Sequence, residues 1–443
     1  MAITDLATDL IRDLLRSSWI IERARAEVYT RWSQDDPSYR ESLDRSTARA
    51  AIVEKALKEL GRGGDGPLVG PHAEWITSLI GERPAEIALG PLFLARLGDW
   101  VDAHTSLFLT AADAEELQAI GDAERSSLQF PDTMPAVPAY EPLDIPEVVG
   151  PGTVVFRFAI LADMHIGSKA GEERARAAIA DINASGAELV IQLGDITDHG
   201  EREEFALASE VLSTFEIPVT TMMGNHDVYS INEQRLSGRE YYGVAFGREP
   251  DGVLIEHKGF RFAVLDSIEH GASPFGPFDL VTGKFLDSVG GAVVRGSLTP
   301  PQHDLLAEIA EPGSPPAFVF LHHPPQPFTS FPPILFGLRD EDSGRLHATV
   351  DSGNVWGVFA GHTHRNARTR TFGTVPAQEV GIARDFPFGY AIVDVTENGY
   401  AYRFQQISKE EVLRSAYQGA GEIQRRYGAG SEVARAFTWT TPS

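Results

Sequence analysis

Five short apolar segments of this chain each end before a histidine, aspartate or asparagine, either directly or with a single glycine between. The segments span residues 158–162, 189–193, 219–223, 318–321 and 355–360. Each has the length and composition of a buried β-strand, and helical patterns separate them. In such α/β folds the carboxyl ends of the strands gather their side chains at one edge of a sheet. The sequence therefore predicts an α/β fold with one polar site at the strand ends.

The residue types that follow these segments are metal ligands. They are Asp163 and His165, Asp195, Asn225, His322, and His362 and His364. Imidazole nitrogens and carboxylate or amide oxygens suit manganese, iron, zinc and cobalt, and the chain has no cysteine to favour softer metals. A carboxylate such as Asp195 can lie between two cations and reduce their repulsion. Two such ions activate a water molecule, and they stabilise the attacking and the leaving oxygen when an ester is displaced at phosphorus.

Glycines precede several of these ligands. Gly194 stands before Asp195, Gly224 before Asn225, and Gly361 before His362. A residue without Cβ permits a close backbone approach, so the glycines indicate tightly packed loops around the ligands.

The ordered motifs resemble the calcineurin-like metallophosphoesterase superfamily over residues 154–408. The resemblance implies a four-layer αββα sandwich and two divalent or mixed-valence transition-metal ions. The implied ligands of the first ion are Asp163, His165, Asp195 and His364, and those of the second are Asp195, Asn225, His322 and His362. We expect manganese, iron, zinc or cobalt in these positions.

The same resemblance implies the catalytic roles. His226 is the expected general acid or transition-state stabiliser beside the leaving oxygen, and Asp198 is expected to orient it. Asn225 would help to stabilise the charged transition state. The nucleophile would be a hydroxide that bridges the two metals.

The chain differs from some groups of the superfamily at motif positions, and these differences limit which substrate class we expect. Asp198 stands where purple acid phosphatases have tyrosine, and His199 stands where protein Ser/Thr phosphatases have arginine. The blocks around His322 and His362 are most similar to the bacterial cyclic-nucleotide and glycerophosphodiester phosphodiesterase group. We therefore expect a small phosphodiester substrate, with a phosphomonoester as the alternative on the same site. A metal-loaded scaffold without catalysis is the alternative from another class, and the intact ligand set argues against it.

Four residues beside the ligands have alternative roles: His323, Asp227, His199 and Arg365. Each either supports a ligand or contacts substrate, and an orienting hydrogen bond is the preferred role for Asp227. For Arg365, a solvated charge at a strand end is an equal alternative. His322 is the preferred ligand, although an exchange of roles with His323 stays open.

Three loops are expected to set specificity, namely residues 228–247, 269–296 and 326–345. They carry aromatic residues and a few arginines, among them Arg239 and Tyr242. These side chains could stack on a base and clamp a phosphate, or they could pack as lids on another part of the protein. The sequence leaves both alternatives open.

The pattern before residue 154 predicts a different domain. Residues 1–129 carry helical apolar stripes, with Asp36 and Thr110 as expected N-caps, and their glutamates, Glu22 among them, are expected on solvated faces. Residues 130–153 are rich in proline and are expected to form a linker. Residues 154–443 would form the metallophosphoesterase domain, ending in a helix over 408–427 with a capping box formed by Ser408 and Glu411.

The charge of the chain limits its partners. A formal net charge of −25 offers no broad basic surface for nucleic acid or anionic membranes. Neither a secretory signal nor a membrane-spanning apolar run is present in the sequence, so we expect a cytoplasmic protein. The acidic helical domain carries several tryptophans. We expect it to form a homo-oligomer interface or to cover the metal cleft.

Overall fold

The computed structural model describes residues 3–60, 73, 76, 90–127, 139–228, 238–249, 251–268, 296–325 and 337–442. Described residues up to Ser127 belong to one compact unit, and those from Ala139 onward belong to a second. The first part of the expected linker lies outside the described residues. In its second part, Tyr140 and Leu143 pack against the cores of the second unit. The division at residues 129 and 153 stays a prediction.

The described part of the first unit is helical. Its α-helices are α1 (Ile3–Asp35), α2 (Arg40–Glu59), α3 (Gly90–Thr105) and α4 (Ala111–Ser127). Asp36 accepts a hydrogen bond from the Ser38 N–H at 3.0 Å, and Thr110 accepts one from the Asp113 N–H at 3.2 Å. Both residues therefore act as the N-caps that the sequence predicts.

A buried network of charges lies inside this helical unit. Arg25 donates to Glu22 at 2.5 Å and to Glu124 at 2.5 Å. Arg49 donates to Asp102 at 3.0 Å and also contacts Glu124. The expectation of a solvated Glu22 is wrong, because its side chain is fully buried beside Arg25. The apolar stripe of one helix does not reveal which charges its neighbours will cover.

The second unit contains two mixed sheets. Its strands are β1 (Val154–Leu161), β2 (Leu189–Gln192), β3 (Val219–Thr221), β4 (Val253–His257), β5 (Phe260–Val264), β6 (Ala317–Leu321), β7 (Val355–Ala360), β8 (Ala367–Phe372), β9 (Val375–Glu379), β10 (Gly389–Thr396), β11 (Gly399–Gln406) and β12 (Ala436–Thr440). The first sheet has the order β12-β11-β10-β1-β2-β3, and the second has the order β4-β5-β6-β7-β9-β8. All five strands expected from the apolar segments are present.

Helices cover the outer face of each sheet. Their bounds are α5 (Gly171–Ala184), α6 (Arg202–Leu212), α7 (Gly238–Phe246), α8 (Pro300–Ala310), α9 (Asp340–Ser352), α10 (Glu410–Gly419), α11 (Glu422–Ala429) and α12 (Glu432–Arg435). Residues of α5, α6, α7 and α10 pack on the first sheet, and residues of α8 and α9 pack on the second. The predicted αββα sandwich preceded by helices is confirmed.

Strand β1 illustrates why the sheets stack. Phe158 and Ile160 enter the core between the sheets, while Ala159 and Leu161 enter the core under the helices. This alternation follows from the two-residue period of a strand, and both faces of β1 are apolar because both are covered. No helix in the described part of the chain is long and apolar enough to cross a membrane.

The helix expected over 408–427 is interrupted. It consists of α10 and α11, with Ala420 and Gly421 between them. The expected capping box is wrong, because the main-chain N–H and the hydroxyl of Ser408 donate to the Asp181 carboxylate at 2.6 and 2.7 Å. Gly421 supports the break, since glycine is a poor helix former.

Candidate metal centre

The expected ligands all follow strand ends in the second unit. In chain order they are Asp163 and His165 after β1, Asp195 after β2, Asn225 after β3, His322 after β6, and His362 and His364 after β7. Strands β1, β2 and β3 are parallel to each other, and β6 is parallel to β7. Their carboxyl ends therefore supply the ligands from one edge of each sheet.

The backbone is unusual at many of these residues. The φ angles are 53° at Asp163, 46° at His165, 48° at Asp195, 69° at His362 and 57° at His364. Residues other than glycine rarely adopt this left-handed region, and such strain is concentrated at functional sites. Surrounding contacts must hold these loops in place.

The expected glycines permit the close packing. A Cβ at Gly224 would lie 2.2 Å from Oδ1 of Asp195, and one at Gly361 would lie 2.8 Å from Oδ2 of Asp163. A side chain at either position would displace a carboxylate of the cluster.

The first cluster consists of Asp163, His165, Asp195 and His364, whose ligand atoms all lie within 4.8 Å of one another. Nε2 of His165 lies 3.2 Å from Nε2 of His364 and 3.6 Å from Oδ2 of Asp195. Nδ1 of His165 donates to Oδ1 of Asp198 at 3.1 Å. Nε2 of His165 therefore carries a lone pair toward the cluster, as a metal ligand does.

The second cluster contains Asp195, His322 and His362. Nε2 of His322 lies 3.4 Å from Oδ1 of Asp195 and 3.0 Å from Oδ1 of Asn225. Nδ1 of His322 donates to the Leu193 carbonyl at 2.8 Å, so its Nε2 also carries a lone pair. Nε2 of His322 and the Oδ1 atoms of Asp195 and Asn225 thus lie close together. A cation between these three electron-donating atoms would stabilise the arrangement.

Asp195 belongs to both clusters. Its Oδ2 lies toward His165, and its Oδ1 lies toward His322. Oδ1 also accepts the main-chain N–H of His226 at 2.9 Å. One carboxylate therefore joins the two groups of possible ligands.

The protonation states of His165, His362 and Asp195 favour cation binding, whereas His322 would release a proton when a cation binds. Burial, with repulsion from neighbouring histidines, lowers the pKa of His165 and His362 well below the ordinary value. Burial also opposes protonation of His322, but the carboxylates of Asp195 and Asp163 outweigh it and raise the His322 pKa. For Asp195, burial is outweighed by the histidines, which lower its pKa. Neutral imidazoles and ionised carboxylates are the forms that bind metals.

His226 lies beside the first cluster, with its ring 4.4 Å from the ring of His165. Its Nδ1 donates to the main-chain carbonyl of Asp198 at 2.8 Å. The Asp198 carboxylate accepts from Nδ1 of His165 at 3.1 Å and from Nη1 of Arg384 at 3.0 Å. Asp198 thus contacts His226 through its main-chain carbonyl, and its carboxylate lies in a third group of possible ligands with His165 and His226. These positions favour the orienting role expected for Asp198.

Asp227 joins the loops that carry the ligands. Its buried carboxylate accepts main-chain N–H groups from Ile196 at 3.1 Å, Thr197 at 2.8 Å and Gly224 at 2.8 Å. The Thr197 hydroxyl donates to it at 2.7 Å. Burial, together with the Asp195 charge, raises the pKa of Asp227 to about 7, although the four donors favour the ionised form. These contacts favour the orienting role that the sequence suggests.

The two adjacent histidines have different surroundings. His322 lies in the second cluster, whereas the main-chain N–H of His323 donates to Oγ of Ser267 at 3.1 Å. Nδ1 of His323 lies 2.9 Å from the same oxygen. The structure therefore favours His322 as the ligand and His323 as its buried neighbour.

Two further candidates differ in exposure. Arg365 is buried and donates to both carboxylate oxygens of Glu379 at 2.7 and 3.1 Å, which favours support of the loop over contact with substrate. The alternative of a solvated charge is wrong, because Glu379 is a buried partner for this arginine. His199 has a side chain that is 65% exposed, with Nδ1 3.1 Å from the Glu204 carboxylate. The His199 side chain is therefore accessible to solvent.

The loops expected to set specificity are only partly described. Residues 229–237, 269–295 and 326–336 lie outside the described residues. Residues 238–246 form α7, where buried Tyr242 contacts the Thr221 hydroxyl at 2.6 Å. Arg239 donates to Asp266 at 2.6 Å. Both side chains are therefore packed as structural contacts in the second unit.

Sequence reasoning missed Arg384, Glu379 and Tyr427, which support the centre. Each lies outside the ligand motifs and far along the chain from the ligand that it supports. Glu379 left a local signal, because it is a charged residue at the end of the apolar strand β9. Arg384 and Tyr427 left no local signal that we recognise.

Comparison with protein families adds an independent finding. Residues 156–366 match the model of the calcineurin-like phosphoesterase family. The chain is 30% identical over 210 residues to a probable cyclic nucleotide phosphodiesterase of Rhodococcus erythropolis, covering 46% of this chain and 60% of that protein. It is 27% identical over 221 residues to a glycerophosphodiester phosphodiesterase of Enterobacter lignolyticus, covering 44% and 69%.

Solved structures are more distant. A dimetal phosphatase from Danio rerio aligns with 57% of this chain and 97% of its own, at 16% identity and a TM-score of 0.43. A purple acid phosphatase from yellow lupin aligns with 59% of this chain and 52% of its own, at 13% identity and a TM-score of 0.39.

Proposed function

We propose that the protein is a dinuclear metal-dependent phosphodiesterase, since residues 156–366 match the model of the calcineurin-like phosphoesterase family. The observation that carries the proposal is the position of Asp195, whose two oxygens lie toward two separate groups of histidines. A carboxylate in this position allows two cations to lie close together.

The first ion would be held by Asp163, His165, Asp195 and His364, and the second by Asp195, Asn225, His322 and His362. All of these donors are nitrogen or oxygen, which suits manganese, iron, zinc or cobalt. Two such ions would supply an activated water and bind the phosphoryl oxygens of the ester.

Side chains would carry out the proton transfer and stabilise the transition state. The Asp198 carbonyl fixes Nδ1 of His226 as a hydrogen-bond donor, at 2.8 Å. In the imidazolium form, Nε2 of His226 carries a second proton and gives it to the departing alkoxide, as general acid, which leaves the ring neutral with its Nδ1–H retained. Asn225 holds its amide toward the second group of ligands and stabilises charge in the transition state.

The preference for a diester comes from two curated relatives. One is named a probable cyclic nucleotide phosphodiesterase and the other a glycerophosphodiester phosphodiesterase. The chain spans 60% of the length of the first and 69% of the second, so their substrates enter only as part of this proposal.

The test compares hydrolysis of an aryl phosphodiester and an aryl phosphomonoester by protein loaded with Mn²⁺. We expect faster hydrolysis of the diester, and loss of both metals and activity in Asp195→Ala. A higher kcat/KM for the monoester would assign a phosphatase. Two bound ions without hydrolysis of either ester would favour a non-catalytic scaffold.

A second test addresses the general acid. His226→Ala should keep its metal but lose turnover by roughly 10²–10⁴-fold for an ester with a poor leaving group. The loss should be smaller with nitrophenolate as leaving group, because that anion departs without a proton. The matched control is His347→Ala on α9, whose side chain is 45% exposed. Equal losses for both leaving groups would assign His226 to charge stabilisation instead.

A further inference from the structure

The loop after β7, residues 361–366, must be held by contacts with residues outside the loop. His362 and His364 have φ angles of 69° and 57°, which are strained for side chains with a Cβ. Such conformations persist only where neighbouring residues fix them. Thr363 lies between the two histidines, so contacts to Thr363 act on both proposed ligands.

Two residues form hydrogen bonds with Thr363, one with its main chain and the other with its side chain. The hydroxyl of Tyr427 donates to the main-chain carbonyl of Thr363 at 2.6 Å. The hydroxyl of Thr363 donates to Oε2 of Glu379 at 2.6 Å. Both the backbone and the side chain of this residue are therefore fixed.

The contacts form a closed ring. Arg365 donates to Glu379 at 2.7 and 3.1 Å, and its guanidinium carbon lies 5.6 Å from the centre of the Tyr427 ring. Glu379 pairs with Ala360 in the ladder between β7 and β9, directly before the loop. A rotation of any one member would disturb the others.

Tyr427 lies outside the matched family region. It belongs to α11, whereas the family match ends at residue 366. The main-chain N–H of Asn366 donates to the Gly428 carbonyl at 3.1 Å, which fixes this helix against the end of the loop. The C-terminal segment thus reaches the centre through a hydroxyl and a main-chain bond.

We propose that Tyr427 is a positioning residue for the metal centre. Its hydroxyl holds the Thr363 carbonyl so that the imidazoles of His362 and His364 keep the spacing that their cations require. Helix α11 thereby sets the metal affinity of the site. This inference rests on the proposed dinuclear function.

The test uses the full chain with Tyr427→Phe, which removes the hydroxyl and keeps the ring. The matched control is Tyr400→Phe, because among the described residues the buried Tyr400 hydroxyl has no hydrogen-bond partner. Mn²⁺ is titrated by calorimetry into metal-free protein, and turnover of the aryl diester is measured against Mn²⁺ concentration. Thermal unfolding of the metal-free proteins reports stability separately.

Tyr427→Phe should weaken Mn²⁺ binding by roughly 10-fold or more, the scale for a group that supports a metal ligand. Saturating Mn²⁺ should restore kcat to within about twofold, because Tyr427 does not touch the reacting atoms. Tyr400→Phe should leave both quantities unchanged. Thr363→Val, which removes the donor to Glu379, should weaken Mn²⁺ binding in the same direction.

Three results would overturn the inference. Unchanged Mn²⁺ affinity in Tyr427→Phe, with two ions bound to the wild type, would refute the role of Tyr427 and leave the proposed dinuclear function intact. A lower kcat that excess Mn²⁺ does not restore, with a lower melting temperature, would reduce Tyr427 to a structural tether. A wild-type protein that binds no Mn²⁺ would refute the proposed function and this inference with it.

Discussion

Replacing Asp227 by asparagine tests whether a buried charge holds the ligand loops together. Oδ2 of Asp227 accepts the N–H groups of Ile196 and Gly224 at 3.1 and 2.8 Å. Oδ1 accepts the N–H and the hydroxyl of Thr197 at 2.8 and 2.7 Å. An amide has one oxygen, so its NH₂ group must face two of these four donors.

The cost can be worked out from the better amide orientation. With NH₂ beside Thr197, the Thr197 hydroxyl can rotate and accept, which leaves one main-chain N–H without an acceptor at about 1–3 kcal/mol. The two bonds at the other oxygen lose their charge assistance, about 1 kcal/mol each. Removal of the buried charge offsets about as much, because burial and repulsion from Asp195 disfavour the ionised carboxylate and raise its pKa to about 7. We therefore expect Asp227→Asn to lower the free energy of unfolding by about 2 kcal/mol, the cost of the unpaired N–H.

The assay is thermal and urea unfolding of the metal-free protein. The melting temperature of the second unit should fall by roughly 4 °C or more. Asp351→Asn is the matched control, since that carboxylate is 62% exposed and should change stability by about 0.5 kcal/mol or less. If Asp227→Asn is as stable as the control, Asp227 is a neutral acid in the folded protein, and the four-donor argument fails.

Three further predictions concern other parts of the protein. Asn225→Ala should reduce Mn²⁺ from about two ions per chain toward one by elemental analysis, because its amide serves only the second proposed ion; retention of both would remove it from the ligand set. Glu124→Gln should destabilise the helical unit by about 3–5 kcal/mol in thermal unfolding, because Arg25 and Arg49 lose a buried partner charge. A loss below about 1 kcal/mol would mean that water replaces that partner. A chain that begins at Ala139 should keep its metal content and its activity on a small aryl diester, because all proposed ligands belong to the second compact unit. A folded but metal-free truncated protein would show that the helices contribute to the centre.

The sequence alone determined the fold class and most of the proposed ligand set. Segments such as 158–162 and 355–360 carry the composition of buried strands, and that signal is local. Asp163 and His165 stand directly after such a segment, so the chain itself places them at a strand end. The resemblance then suggested how these residues divide between two cations, and the structure brings the same groups together.

Only the tertiary structure decided the partners of these residues. The carboxylate of Asp198 pairs with Arg384, and Thr363 is held by Glu379 and Tyr427, although these residues are far apart in sequence. Strand patterns and ligand motifs depend on neighbouring residues in the chain. Hydrogen-bond partners depend on which distant segments packing brings within about 3 Å, and local sequence does not encode that choice.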